Sequence, residues 1–301
     1  MRRRTGQGIR YHIAMHRIRF LASRPLRRLL AGIVWGAGAA ACRPSADQIP
    51  PDTAAPPPPA PALTVADSSA TSSTCLAPAS CATVTVTLPR LRLRAGLSAT
   101  DSAALVPIVA ALNDSLRTLA GIPAEMRLQR HADRLRDRLF RDLRADGRRM
   151  REWGMGFSRA TTVRVRWVSA HVLTVELEES AFTGGAHGDY GATLRSFDLR
   201  TAKPIPVTAL VSDTAALVPL LESGFVLAKA DSGAAPPPLA DLLFPEVKRL
   251  PVPPHVGVVP EGLLFLYNPY EVAPWAVGRT DVLLTWKQLS TLADAGRWGA
   301  R

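Results

Sequence analysis

The sequence predicts an α+β fold in which antiparallel sheets pack against helices, preceded by a disordered, proline-rich linker. Three observations support this class. Apolar and polar residues alternate in several short segments after residue 82, as they do in half-buried strands. A long amphipathic helical pattern covers residues 124–150. Two strand patterns are separated only by Ser169 and Ala170, which favours an antiparallel hairpin.

Each predicted element has its own local signal. Val84, Val86 and Leu88 alternate with threonines in the first strand, and Ser98 is placed to cap the helix that follows. The other strands are predicted near residues 162–167, 173–178, 193–199, 263–267 and 281–285, and the helices near residues 99–119, 124–150, 213–228, 238–248 and 286–293. This mixture favours α+β over a doubly wound parallel sheet.

The first 41 residues are typical of an export signal. Nine arginines and no acidic residue precede or flank the 13-residue apolar stretch 29–41, which is shorter than the ~20 residues of a transmembrane helix. Residues 39–42 (AAAC) resemble the lipobox of bacterial lipoproteins, so we expect lipidation of Cys42 and a membrane anchor facing the periplasm or the cell surface. An ordinary signal peptide cut after Ala41 and a retained anchor helix are the alternatives, and Met15 is an alternative start.

The export signal also explains the high isoelectric point. The whole chain has a net charge of +12 and a pI near 10.7. Without residues 1–41 it keeps 28 basic and 25 acidic side chains. A nucleic-acid partner is therefore not expected, because the basic charge is not a property of the folded part.

A linker and one folded region are predicted after the signal. Residues 42–82 are rich in Pro, Ala, Ser and Thr and are too poor in large apolar residues to build a core. Residues 83–301 form the predicted domain, with two subdomains at about 83–180 and 181–295 as a further division. Cys75 and Cys81 are expected to form a disulfide in an exported protein, the alternative being two free thiols.

The helical pattern at residues 124–150 has an unusual charge distribution. Ten arginines and five acidic residues lie between residues 125 and 151. One interpretation is a basic patch for anionic lipid or envelope phosphates. The other, which we favour from the sequence, is a solvated face in which i,i+4 pairs such as Asp137 with Arg141 neutralise the charge.

Three local patterns resemble one known family. They are FTGGAHG at residues 182–188, SFDLRTAK at residues 196–203, and EGLLF at residues 261–265 followed by NPYEVAPWAVG at residues 268–278. Together they resemble the extracytoplasmic domain of unknown function shared by the lysozyme-sensing anti-sigma-V factor and the non-catalytic N-terminal region of some peptidoglycan deacetylases. The resemblance covers roughly residues 83–295 and implies a cell-envelope location. In the turn within the second pattern, this family usually has Gly at the position of Ala202.

Two groups of residues are candidates for ligand binding. Gly184 and Gly185 form a turn beside His187 and Asp189, since glycine allows the backbone a positive φ. His187 and Asp189 could act there as an acid–base pair or as metal ligands. A structural turn is the favoured interpretation, and no metal or cofactor is predicted. The second group is Tyr270, Glu271 and Trp275, which suit a carbohydrate groove, although aromatic residues more often fill a core.

The function predicted from the sequence is a non-enzymatic envelope lipoprotein that binds a cell-wall glycan such as peptidoglycan, or an envelope protein. No complete catalytic motif is present in the sequence. The alternative is an envelope hydrolase or deacetylase that uses His187, Asp189 and Glu271.

Overall fold

The computed structural model describes residues 62–146, 154–230 and 235–298. Its elements are β1 (Leu63–Ala77), β2 (Ser80–Leu93), α1 (Ala99–Leu119), α2 (Leu128–Ala145), β3 (Phe157–Val168), β4 (Val172–Phe182), β5 (Asp189–Asp198), α3 (Val207–Leu210), α4 (Leu217–Ala228), α5 (Leu239–Leu242), β6 (Val256–Val259), β7 (Gly262–Tyr267) and β8 (Thr280–Thr285). Short 3₁₀ turns lie at Trp275–Val277 and Ala295–Trp298. The predicted α+β class is confirmed. The expected export signal and Cys42 lie outside the described residues, and no helix within the described ranges is long and apolar enough to cross a membrane.

The larger sheet has five strands in the order β1-β2-β3-β4-β5. Neighbouring strands are antiparallel except β2 and β3, which are parallel and are joined by the two long helices. A parallel pair needs such a crossover because its strands run in the same direction. The predicted hairpin is the β3–β4 pair, in which Val163 lies opposite Leu177.

One face of this sheet packs against α1 and α2. Ser98 accepts a hydrogen bond from the Asp101 N–H and caps α1, as predicted. The core between the helices and the sheet contains Val84, Val86, Leu112, Leu116, Leu139, Leu143, Val163, Leu173 and Val175, all buried. Residues Leu112 and Leu116, like Leu139 and Leu143, are one turn apart, so each helix presents one apolar stripe to the alternating apolar side of the strands.

The other face of the sheet carries the small sheet β6-β7-β8, whose core is shared with α4. Gly257 in β6 makes this close approach possible. A Cβ atom at that position would lie 2.7 Å from Thr174 Cγ2 and 2.8 Å from Leu194 Cγ. The absent side chain therefore lets β6 lie directly on β4 and β5.

Two buried hydroxyls join the sheets through the backbone of β6. The Thr174 hydroxyl donates to the Val258 carbonyl oxygen at 2.6 Å, and the Val258 N–H donates to Ser196 Oγ at 2.9 Å. The two hydroxyl oxygens are 2.7 Å apart. Because β6 is at the edge of the small sheet, these hydroxyls take the place of a neighbouring strand.

The prediction of a disordered linker up to residue 82 is wrong for its last part. β1 occupies Leu63–Ala77 and pairs along its length with β2. Its inward side uses small residues such as Ala70 and Ser72, so the segment lacks the large apolar residues by which a strand is usually recognised. Cys75 and Cys81 face each other across this hairpin and are joined as a disulfide.

Other predicted boundaries are also corrected. Turns occupy residues 286–292 where a helix is predicted over 286–293, and only Leu239–Leu242 is helical in the segment 238–248. α2 begins at Leu128, because residues 123–126 form a turn and Arg127 is the extended N-cap residue. β6 was not predicted. A subdomain boundary between residues 180 and 181 would cut β4 and separate it from its antiparallel partner β5, so that division is wrong.

Ala202 provides the first stability prediction. It has a positive φ of 57° in the turn that follows β5, a conformation that favours Gly. This conformation costs an L-residue roughly 1–2 kcal/mol, which the greater chain entropy of unfolded Gly offsets in part. We expect Ala202→Gly to raise the free energy of unfolding by a few tenths to about 1 kcal/mol in urea denaturation. Ala82→Gly, at a buried strand position, should lower it, and equal effects would contradict the strain argument.

His131 predicts a pH dependence of stability. Burial, followed by the charges of Arg138 and Arg117, lowers the pKa of this histidine below its ordinary 6.5. The unfolded chain therefore binds a proton at a higher pH than the folded chain does. We expect the free energy of unfolding to fall as the pH drops below 6.5, by at most about 1.4 kcal/mol per pH unit. His131→Gln should flatten this part of the profile, and an unchanged slope would exclude His131 as its cause.

Candidate functional site

The site begins at the turn between β4 and β5. Gly184 and Gly185 have φ values of 91° and 99°, which only glycine adopts readily. The turn carries the exposed His187, whose Nδ1 lies 3.0 Å from the Gly188 carbonyl oxygen. The glycines thus allow a tight reversal that presents the imidazole at the surface.

An aromatic cluster forms where this turn meets the segment 268–279. The rings of His187 and Trp275 are stacked, with centroids 4.2 Å apart and an angle of 21°. Tyr190 meets Trp275 edge to face at 6.3 Å. The Arg279 N–H donates to the Tyr190 hydroxyl at 3.2 Å, which ties the two segments together. We name His187, Tyr190 and Trp275 the aromatic cluster.

Asn268 attaches the second segment to the free edge of β5. The Ala192 N–H donates to Asn268 Oδ1 at 2.6 Å, and Asn268 Nδ2 donates to the Ala192 carbonyl oxygen at 2.9 Å. One side-chain amide thus satisfies both backbone groups that a sixth strand would pair with. The aromatic cluster depends on this attachment for its position.

Glu271 organises the segment from within. Its Oε2 accepts the Asn268 backbone N–H at 2.9 Å, and its Oε1 accepts from Asn268 Nδ2 at 3.0 Å. His255 Nε2 lies 3.2 Å from the same Oε1. Between them Tyr270 has a positive φ of 67° and its side chain is 58% exposed. A bulky residue in this conformation is rare outside functional sites and tight turns.

A cavity of about 450 Å³ lies on the helix side of the β5 edge. Asp189 and His255 line it, together with the ion pair between Arg159 and Glu179, 3.1 Å apart, and the Asn268 amide. A second cavity of about 290 Å³ lies on the opposite face, lined by Thr162, Arg164, Glu178, Ser180, Tyr190 and Arg279. Both have hydrogen-bonding groups, and Tyr190 borders both.

A cluster of charged side chains around Arg279 lies next to the second cavity. The Glu176 side chain is only 1% exposed and contacts the Arg279 guanidinium, which also lies 2.6 Å from Asp281 Oδ1 and 3.4 Å from Glu178 Oε1. Burial opposes the charge on Arg279, but the hydrogen bonds to Asp281 and Glu176 outweigh it and raise the pKa of Arg279.

Lys229 at the end of α4 holds the same segment from the other side. Its ammonium donates to the carbonyl oxygens of Val277 and Arg279, each at 2.8 Å. Burial lowers the pKa of Lys229. The aromatic cluster and both cavities therefore rest on a segment fixed by Asn268, Lys229 and Arg279.

The structure brings some predicted residues together and separates others. His187 and Trp275 are in direct contact, and Asp189 lines the larger cavity. Within the described ranges no hydrogen bond joins His187 to Asp189, Glu271 pairs with His255 instead of His187, and no group of three metal-ligating side chains is found. His255, Asn268 and Tyr190 also belong to the site, and no local pattern marks them because they contact residues distant in sequence.

The comparisons with known proteins bear on this same segment. Residues 226–287 match the family model DUF3298, described as a protein of unknown function. A DUF3298 domain is present. The match runs from the end of α4 through β8 and includes Asn268, Glu271 and Trp275.

Solved structures of DUF3298 proteins resemble the chain over a longer range. A DUF3298 family member from Bacteroides fragilis NCTC 9343 is 16% identical, with a TM-score of 0.62, over 78% of this chain and 94% of that one. A DUF3298 family protein from Pseudomonas aeruginosa PAO1 is 20% identical, with a TM-score of 0.47, over 79% of this chain and 98% of that one. No curated protein matches the sequence. The Bacteroides structure supports the DUF3298 fold.

Proposed function

We propose that the chain is a non-enzymatic binding domain of the bacterial cell envelope and that its ligand is a wall glycan such as peptidoglycan. The observation that carries this proposal is the aromatic cluster, which lies beside two cavities rich in carboxylate, amide and hydroxyl groups. Sugars offer C–H faces to aromatic rings and hydroxyls to such polar groups. Tyr270, exposed on the same segment, adds a further aromatic surface.

The location is part of the same proposal. The lipobox-like residues 39–42 favour export and lipidation of Cys42, and the resemblance to extracytoplasmic sensor and deacetylase domains favours the cell envelope. Mass spectrometry of the mature protein should find a lipidated Cys42 at the N-terminus. An unmodified chain that begins at Met1 would reject the anchor and leave the binding proposal untouched.

Binding is tested with purified peptidoglycan and its soluble fragments. The full chain carries Cys42→Ser in all variants, so that a lipid cannot contribute. We expect Trp275→Ala and Tyr270→Ala each to weaken binding about tenfold, which corresponds to ~1.4 kcal/mol for one lost aromatic contact. Leu227→Ala removes a similarly exposed apolar side chain, 64% exposed, on α4 and should leave binding unchanged.

Two results would overturn the proposal. If Leu227→Ala weakens binding as much as Trp275→Ala, or if neither fragments nor whole peptidoglycan bind, the aromatic cluster is not a glycan site. If the wild type cleaves or deacetylates the fragments and His187→Ala or His255→Ala abolishes this turnover, the protein is an enzyme. The 3.2 Å contact between His255 and Glu271 at the cavity is the observation that makes this second assay necessary.

A further inference from the structure

The outer face of α2 carries a row of arginines. At 3.6 residues per turn, Arg130, Arg134, Arg138 and Arg141 fall within about 80° of the helix circumference and extend over roughly 16 Å of its length. Arg127 precedes them at the N-cap. All five are exposed. We call these five residues the arginine row.

The described residues leave the arginine row without partners. No ion pair or hydrogen bond to any of its five side chains is found in the described ranges, although acidic residues lie nearby in sequence. Asp137 pairs with Arg136 at 2.8 Å instead of with Arg141, and Asp133 is held by Ser72 and Gln129. The neutralising i,i+4 pair predicted between Asp137 and Arg141 is therefore wrong, and the charge of the row is not cancelled along the helix.

Packing fixes the row in an outward orientation. The opposite side of α2 is buried through His131, Ala132, Leu139 and Leu143. The helix cannot turn its apolar side outward without loss of the core, so it offers charge alone to a partner. The positive potential of the row also extends to the buried side of the helix, since Arg138 and Arg134 both contribute to the lowered pKa of His131.

One end of the row is concave. Arg127, Arg130 and Arg134 surround a cavity of about 520 Å³ together with Pro123, Glu125 and Met126. Glu125 is the one acidic residue that lines this cavity and opposes an anion there. Three guanidinium groups outnumber it, and guanidinium groups form paired hydrogen bonds with phosphate oxygens.

We propose that the arginine row is a second binding surface, separate from the glycan site, which docks the domain on an anionic phospholipid membrane. A straight row of like charges with no aromatic side chain suits many small phosphate headgroups in a plane. A single-stranded nucleic acid would instead be expected to use aromatic stacking. Each basic residue near an anionic surface adds to the attraction, which is screened over about 8 Å at physiological salt.

Vesicle co-sedimentation tests this surface. The full chain with Cys42→Ser is mixed with phosphatidylcholine vesicles that contain or lack phosphatidylglycerol. We expect the combined variant Arg130→Gln, Arg134→Gln, Arg138→Gln and Arg141→Gln to lower the partition coefficient on anionic vesicles at least about tenfold. A matched variant, Arg90→Gln, Arg92→Gln, Arg94→Gln and Arg195→Gln, removes four exposed arginines from other elements and should change it less than about twofold, because these residues lie outside the row.

Several outcomes would overturn the proposal. One is an equal loss in the two variants, which would show a general charge effect. Another is equal binding to vesicles without phosphatidylglycerol. Displacement by inorganic phosphate at low concentration would show a site for a small anion, and displacement by duplex DNA with higher affinity would show a nucleic-acid surface. Peptidoglycan binding is measured on the same variants and should not change, which separates this surface from the glycan site.

Discussion

Replacement of Arg279 by methionine is expected to lower the free energy of unfolding by about 3–5 kcal/mol. The reason is Glu176, which is 1% exposed and has Arg279 as its contacting cation, with Arg166 more distant at 3.5 Å. Methionine fills a similar volume but leaves the buried carboxylate with only the more distant and more exposed Arg166. Urea denaturation with circular dichroism measures the loss.

A double variant tests the cause. Glu176→Met combined with Arg279→Met removes the buried carboxylate together with its half-buried partner, and apolar replacements of a whole ion pair of this kind are often neutral or stabilising. We therefore expect the double variant to recover most of the stability lost in Arg279→Met. Arg166→Met, which removes the more exposed arginine, should cost about 1 kcal/mol or less. If the double variant is as unstable as the single one, the loss comes from Asp281 or from packing.

Asn268→Asp is expected to lower the free energy of unfolding by about 2–3 kcal/mol at pH 7 and to abolish glycan binding. The new carboxylate keeps the acceptor for the Ala192 N–H. It removes the donor to the Ala192 carbonyl oxygen and places a negative charge against Glu271, which now accepts from the amide. A buried acceptor without a donor and two facing carboxylates both destabilise the folded state.

The pH dependence identifies this mechanism. Both effects raise the pKa of the new carboxyl in the folded state above its unfolded value near 3.9. Protonation restores a donor, so the stability difference from the wild type should shrink as the pH falls from 7 toward 4. A constant difference across this range would reject the mechanism.

Asn113 provides a matched control for the site. The Leu91 N–H donates to Asn113 Oδ1 at 2.9 Å, and Asn113 Nδ2 donates to the Leu91 carbonyl oxygen at 3.1 Å. Asn113→Asp therefore makes the same chemical change at the junction of α1 and β2. We expect a comparable loss of stability with unchanged glycan binding. Equal loss of binding in both variants would mean that Asn268 acts only through overall stability.

The sequence predicts strands where apolar and polar side chains alternate. In β4, Leu173, Val175 and Leu177 alternate with Thr174 and Glu176, so the period is visible although all five residues are buried. β6 is buried on both sides, and its four residues VGVV therefore show no alternation. β1 is not recognisable from the sequence because the residues that face α2 are small and partly polar. Ser72, for example, donates a hydrogen bond to Asp133 at 2.6 Å.

The site was predictable only in its conspicuous residues. Glycines, a histidine and a tryptophan marked the two segments that the structure brings into contact, 88 residues apart at His187 and Trp275. The partners of Glu271 were not predictable, because the position of His255 depends on the small sheet and that of Asn268 on the edge of β5. Such pairings arise from tertiary packing and leave no local pattern.

The side chains that hydrogen-bond to the backbone of the edge strands β5 and β6 also affect intermolecular association. An open strand edge is a template for another chain, and natural proteins block such edges against aggregation. Here Asn268 occupies the backbone of β5 at Ala192, and Thr174 and Ser196 occupy that of β6 at Val258. Loss of these side-chain hydrogen bonds would expose backbone groups that a second molecule can pair with. Substitution of Asn268, Thr174 or Ser196 is therefore expected to promote aggregation at high protein concentration.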